Sequence, residues 1–285
     1  MLRWFTNNRI GLTVTGSFLL LVCVLITSLL NQNQLTTRPD QVPLRTGPGI
    51  TYTQTTSLKS GTKLVVLEKN HGWWKVKRGD KNQSGWVASW VANNTHLKTV
   101  QPMSEATIVL DPGHGGSDTG ALSIDGKHYE KNYTLATAKV TKKALESTGA
   151  RVLMVRSSDV VVPLLHIPRM AESEKADAQI SFHFDSSDSN NSASGVSQYY
   201  YNENSLPLVQ VLNQHLNNLP LENRGYETMP YLVIKDISRP AVLLELGFMN
   251  SKKDFSYIQK ESYQEKIADD IKVAMIQYID SIRNK

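Results

Sequence analysis

Four side chains in this 285-residue sequence could together do hydrolytic chemistry: His114, Glu130, His183 and Glu245. Two imidazoles and one carboxylate are a donor set that suits a zinc ion and leaves a fourth position for water. Glu245 is a fourth candidate beside that set. Their spacing matches no local metal motif, because His114 and Glu130 are 16 positions apart and Glu130 and His183 are 53 apart. Spacing alone makes them candidates, and the elements that carry them must bring them together.

Those elements alternate. Apolar stretches at 107–110, 152–155, 179–184, 196–201 and 241–248 are strand-length and rich in β-branched or aromatic residues. Between and after them, 130–147, 164–176, 205–219 and 263–282 show helical spacing, and Gly149 stands where the first of these helices should stop. The alternation predicts an α/β domain over 104–285, with a largely parallel or mixed sheet flanked by helices. Ligands bind such folds beyond the carboxyl ends of the strands. His114 follows the first strand through the glycine-rich turn DPGHGG, His183 and Glu245 lie near the ends of two others, and Glu130 opens a helix.

The segments IVLDPGHGGSDTGA, GKHYEKNYTLA, GARVLMVRSSD, the run from Arg169 to His183, and PAVLLELGFMN come in the order seen in zinc-dependent N-acetylmuramoyl-L-alanine amidases. The chain resembles that family from about Ala106 to its C-terminus. The resemblance implies an α/β fold and hydrolysis of the amide between muramic acid and the first stem-peptide residue of peptidoglycan. It also implies a Zn2+ ion on His114, Glu130 and His183, with Glu245 as the catalytic acid–base. The family commonly has Asn two residues after its second metal histidine, whereas this chain has Asp185. Of the other histidines, His128 is a candidate substrate contact; His71, His96, His166 and His215 read as surface or internally satisfied residues. Arg169 is expected to form a structural salt bridge, and 186–194 to be a surface loop.

Residues 42–98 read differently. Short apolar runs alternate with turn signals, which suggests a small all-β barrel. The pattern VPLRTGPGITY through GWVASWV resembles a bacterial SH3-type domain, which implies wall binding or positioning. Trp73, Trp74, Trp86, Trp90 and Tyr52 could stack on ligands, but a core this small needs several of them. Residues 38–100 carry a net charge of +7 and the remainder of the chain from 101 a net −4. A basic module suits anionic wall polymers.

Before it, residues 10–30 hold no charge, while Arg3 and Arg9 precede them. The expectation is a transmembrane helix acting as signal-anchor, with 1–9 in the cytoplasm, 31–41 as a linker, and the rest outside the cell membrane. That topology argues against nucleic acid as a partner. Cys23, the one cysteine, falls inside the span. Thr13, Gly16 and Ser17 share a helix face that a membrane-protein regulator could approach. Two other function classes stay open at this point: a catalytically weak wall-binding or scaffold protein, and a zinc peptidase acting within the stem peptide.

Overall fold

The computed structural model describes residues 9–283, apart from the side chains of 9, 10, 12 and 27–32. The described residues divide into two compact units, one holding residues up to 48 with 54–98, the other 49–53 with 99 onward.

In the first unit, α1 (Arg9–Gln32) covers the expected span. Its described large side chains are exposed, among them Val14, Phe18, Leu20 and Val24. Among the described residues no helix is long and apolar enough to cross a membrane. The segment 1–8 lies outside the described residues. Six strands follow: β1 (Gln34–Thr36), β2 (Val42–Arg45), β3 (Gln54–Leu58), β4 (Lys63–Asn70), β5 (Trp73–Arg78) and β6 (Ser84–Ala88), then a turn of helix, α2 (Ser89–Ala92). They form one antiparallel sheet in the order β1-β4-β5-β6-β2-β3.

The stretch 31–41 is therefore more than a linker. Its Gln34–Thr36 pairs with β4, and buried Thr37 bonds Lys59 O through Oγ1 at 2.6 Å. The polar composition hid a strand whose one inward side chain, Leu35, is enough to hold it. The turn signals at 46–49 and 79–83 lie outside the strands. Trp73 and Trp86 are buried and structural; Trp74 and Trp90 are half-buried and Tyr52 is exposed. Gly85 is required where β2 crosses, because a Cβ there would lie 2.8 Å from Arg45 O.

The second unit opens on β7 (Thr107–Pro112), followed by α3 (Glu130–Glu146), β8 (Arg151–Met154), α4 (His166–Ser173) and β9 (Ala178–Asp185). Next come β10 (Val196–Tyr200), α5 (Leu206–Leu216), β11 (Asn223–Thr228), α6 (Leu232–Lys235), β12 (Ala241–Phe248), α7 (Lys252–Ile258) and α8 (Glu261–Arg283). The strand order is β11-β10-β12-β9-β7-β8. Strands β8, β7, β9 and β12 run parallel, β10 is antiparallel to β12, and β11 is parallel to β10. The sheet is thus mixed. Its central strands are apolar on both faces, as a sheet flanked by helices requires: Ile108, Val109 and Leu110 are fully buried. Gly149 takes φ 89° and donates to Glu146 O, ending α3. Val109, Leu243, Ile167, Ala171 and Val233 form one core cluster, in which α4 and α6 cover the sheet face that also bears His183 and Glu245. β11 and α7 had no clear periodicity in sequence; β11 is polar and half-exposed because it is an edge strand.

Candidate metal centre

The site is assembled at the carboxyl ends of β7, β9 and β12. Past Pro112 the chain keeps one more ladder bond, Gly113 N to Phe182 O at 3.0 Å, and then turns sharply. His114 sits in the left-handed region at φ 62°, a strained setting for a residue with a Cβ. Gly115 and Gly116 continue the turn at φ 135° and 58°. A side chain on Gly115 would collide with Val160 O at 2.2 Å, so glycine is needed for packing as well as for conformation.

Glu130, buried at the first residue of α3, holds the three candidate ligands together. Its Oε1 accepts from Phe184 N at 2.9 Å and lies 3.1 Å from His183 Nδ1. Its Oε2 accepts from Ala121 N at 2.8 Å and lies 3.0 Å from His114 Nε2. The two imidazoles are 4.9 Å apart and nearly perpendicular. One donor atom from each of the three residues falls within a 4.8 Å group, so the set can hold a metal ion. Buried carboxylate and imidazole nitrogens facing one another fit that role, because burying them without a cation would be costly. The fourth candidate, Glu245, is paired in register with His183 across β12 and β9. Its Oε2 is buried with no hydrogen-bond partner among the described residues.

Electrostatics follow the geometry. Burial works against the His114 imidazolium, but Glu130 and Asp118 outweigh it and raise its pKa to about 9. Burial also works against the Glu130 carboxylate, yet the two histidines hold its pKa at about 2. Burial, reinforced by the charges of Glu130 and Asp185, pushes Glu245 well above the usual carboxylate range. Asp185 is raised by burial and by Glu130, with Ser186 N–H and Arg224 working the other way.

These shifts make metal loading a proton exchange. In the metal-free protein, the raised His114 contributes stability that is full below its ordinary 6.5 and is lost as pH rises through about 9. The lowered Glu130 contributes stability present above its ordinary 4.5 and lost as pH falls towards about 2. In the metal-free chain these two contributions are both full between about pH 4.5 and 6.5, and the thermal midpoint is expected to fall above that window as His114 and the raised Glu245 lose their protons. Added divalent metal should raise that midpoint more at pH 8 than at pH 6, because less His114 proton must be expelled. Calorimetric scans with and without metal check this, and an equal rise at both pH values would refute the exchange.

Three supports were not singled out in the sequence. Asp118 Oδ2 lies 2.9 Å from His114 Nδ1, which turns the Nε2 edge towards Glu130. Asp111, three residues before His114, is buried with Oδ2 unpartnered and is raised by that burial. Buried Arg156 ties the turn to the neighbouring elements: its Nε donates to Pro112 O at 2.8 Å, and its Nη2 to Gly113 O and Lys131 O at 2.9 Å. Asp111 and Asp118, both in the motif around His114, had a positional signal; Arg156 had none.

The remaining candidates fall elsewhere. His128 is exposed, 3.2 Å from Tyr133 Oη, with its ring against Phe255, and is not in the metal-ligand group. His215 meets Gln277 Oε1 at 2.8 Å; His71, His96 and His166 are exposed. Arg169 is also exposed on the outward face of α4, and among the described residues it makes no salt bridge. The loop 186–194 is tied down: Asn250 bonds both Ser187 N and Ser187 O, and Asp254 accepts from Ser194 Oγ and Gly195 N.

Comparison with known proteins agrees with this geometry. Residues 108–277 match the family model for N-acetylmuramoyl-L-alanine amidase, and residues 40–92 match that for the bacterial SH3 domain. The chain is 36% identical over 282 residues to the probable cell wall amidase LytH of Staphylococcus aureus, covering 94% of each chain. It is 37% identical over 248 residues to the same-named protein of Staphylococcus epidermidis, covering 85% of this chain and 83% of the relative. Among solved structures, the amidase AmiC2 of Nostoc punctiforme aligns with a TM-score of 0.59 at 30% identity, over 64% of this chain and 99% of the other. The catalytic domain of CwlV from Paenibacillus polymyxa aligns at 0.60 and 31%, over 61% and 98%. With a centre of two histidines and a glutamate beside a buried acid, and these matches along its length, the chain belongs to the N-acetylmuramoyl-L-alanine amidase family and carries a bacterial SH3 domain.

Proposed function

We propose that this protein hydrolyses the amide between N-acetylmuramic acid and the L-alanine of the stem peptide, with zinc on His114, Glu130 and His183. The observation that carries the reading is the pairing of Glu245, its Oε2 buried and unpartnered, with the metal ligand His183 in adjacent strands. When bound, zinc would supply Lewis acidity, polarising the scissile carbonyl and making water nucleophilic near neutral pH. The protein's own residues do the rest. Glu245 Oε2 takes the proton of the attacking water and passes it to the departing amine nitrogen. Its raised affinity for a proton suits the second half of that transfer. Asp118 and Glu130 keep both imidazoles turned to one point.

The SH3-type unit fits a positioning role on the anionic wall, given the +7 charge across 38–100. The uncharged run 10–30 after Arg3 and Arg9 fits a single-pass anchor with its N-terminus inside, and the exposed Val14, Phe18, Leu20 and Val24 of α1 suit a lipid surrounding. The face of Thr13, Gly16 and Ser17 would then be where a regulating membrane protein meets it. Mass spectrometry of walls digested by detergent-extracted full-length protein tests the assignment. Free stem peptides beginning at L-alanine are expected; cleavage only within the stem would replace the amidase with a peptidase. Recovery of the protein from cells without detergent would remove the anchor.

A further inference from the structure

Beyond Glu245 the sheet carries an aromatic wall that the chemistry described so far leaves unused. Ser197 of β10 is paired with Glu245, and Tyr199, two residues on, shares its face of the sheet as a diagonal neighbour of Glu245. Tyr199 is half-buried against the cluster that holds Leu243 and Val233. Tyr231, 37% exposed just ahead of α6, meets it edge to face with ring centroids 5.3 Å apart. In β11, Glu227 is the register partner of Tyr199. Burial raises the pKa of both phenols; the hydrogen bond with Ser197 works the other way on Tyr199, and the charges of Asp185, Glu227 and Glu245 add to the rise at both. Arg224 acts on Asp185 and has its guanidinium 5.2 Å over the Phe248 ring, while Lys235 bonds Tyr231 O through its backbone N. Three carboxylates, Asp185, Glu227 and Glu245, act on the phenols.

The reaction's polarity says what must cross this wall. The carbonyl belongs at the metal ligands of β7 and β9, and the amine at Glu245, which protonates it. The departing peptide therefore runs from Glu245 over β10, away from β9. At about 3.5 Å per extended residue, side chains two or three positions past the scissile nitrogen come level with the two tyrosines. Aromatic faces backed by carboxylates bind ammonium groups, by attraction to the ring and by charge. We propose that Tyr199, Tyr231 and Glu227 form a subsite for a side-chain ammonium of the departing stem peptide. This rests on the amidase reading, since it uses the direction in which the leaving group departs.

Titration of full-length protein with the tripeptide L-Ala-γ-D-Glu-L-Lys, and with its Nε-acetylated form, tests the subsite directly. Loss of the charge is expected to weaken binding about tenfold, at the lower end of what a partly desolvated cation–π contact and an adjacent carboxylate provide. Tyr231→Ala and Glu227→Gln, both at exposed positions, should each reduce that difference, and Tyr231→Phe should keep most of it. On the matching muramyl peptides, Tyr231→Ala should raise KM for the free-amine substrate and leave KM for the acetylated one in place. Equal binding of the two tripeptides overturns the subsite while hydrolysis continues. Tyr231-dependent binding of the glycan disaccharide alone also overturns it, in favour of a sugar platform. A protein that prefers the ammonium peptide yet releases no stem peptide keeps the subsite and overturns the amidase reading, so the two failures are distinguishable.

Discussion

Glutamine in place of Glu245 is expected to slow stem-peptide release by a factor on the order of 10³, within the range for loss of a general acid–base. The substitution keeps the shape of the side chain and removes only its ability to cycle a proton. Glu245 is not among the three grouped ligands, so metal content should stay at one ion per chain. Stability should hold or rise slightly, because an unpartnered buried carboxylate is replaced by a neutral amide. Release rates from purified wall, read beside metal content by elemental analysis, check the pair. A Glu245→Gln protein with near-normal rates would mean that another group moves the proton. A protein that lost both rate and metal would place Glu245 among the ligands instead.

Alanine at position 113 should be nearly as damaging by a different route. A Cβ on Gly113 would lie 2.3 Å from His183 Cε1 and 2.4 Å from its Nε2. Those atoms belong to a stiff ring anchored at a buried strand, so they cannot slide aside as the tip of a lysine would. Either the ring turns and Nδ1 leaves Glu130, or β7 and β9 part where Gly113 N meets Phe182 O. Both outcomes cost metal affinity, expected at 10²-fold or more, comparable with loss of ligand orientation. Overpacking of this kind also destabilises by about 1–3 kcal/mol. Competition with a chelator measures the affinity and a denaturant titration the stability. Wild-type affinity in Gly113→Ala would show that His183 has room the structure does not give it.

How far the sequence foretold this site depended on which forces placed each residue. Strand cores such as 108–110 and 241–244 are apolar throughout, and burial on both sheet faces is enough to set them. His114, Glu130, His183 and Glu245 were visible as chemistry, and the ordered motifs made them one set. Their contacts were not visible, because His183 and Glu245, 62 positions apart, meet only through sheet register. Arg156 shows the same limit: it looks like an ordinary arginine after a strand, yet it holds three carbonyls from two segments. β1 was missed because a two-residue period cannot announce itself in three polar-flanked residues. Arg169 was expected to form a salt bridge, and helix phase put it outward.

The position of β12 bears on when the enzyme can act. It is the last strand in sequence, yet it lies between β9 and β10 in the middle of the sheet. A nascent chain emerging N-terminus first would display His114, Glu130 and His183 well before Glu245, and the β9–β10 gap would stay open until residues 241–248 arrived. Such non-local pairing forms late. On the proposed mechanism the centre would work as a coincidence test, gaining Glu245 only when the whole domain has closed. Truncated or half-folded copies would then be harmless to the wall around them.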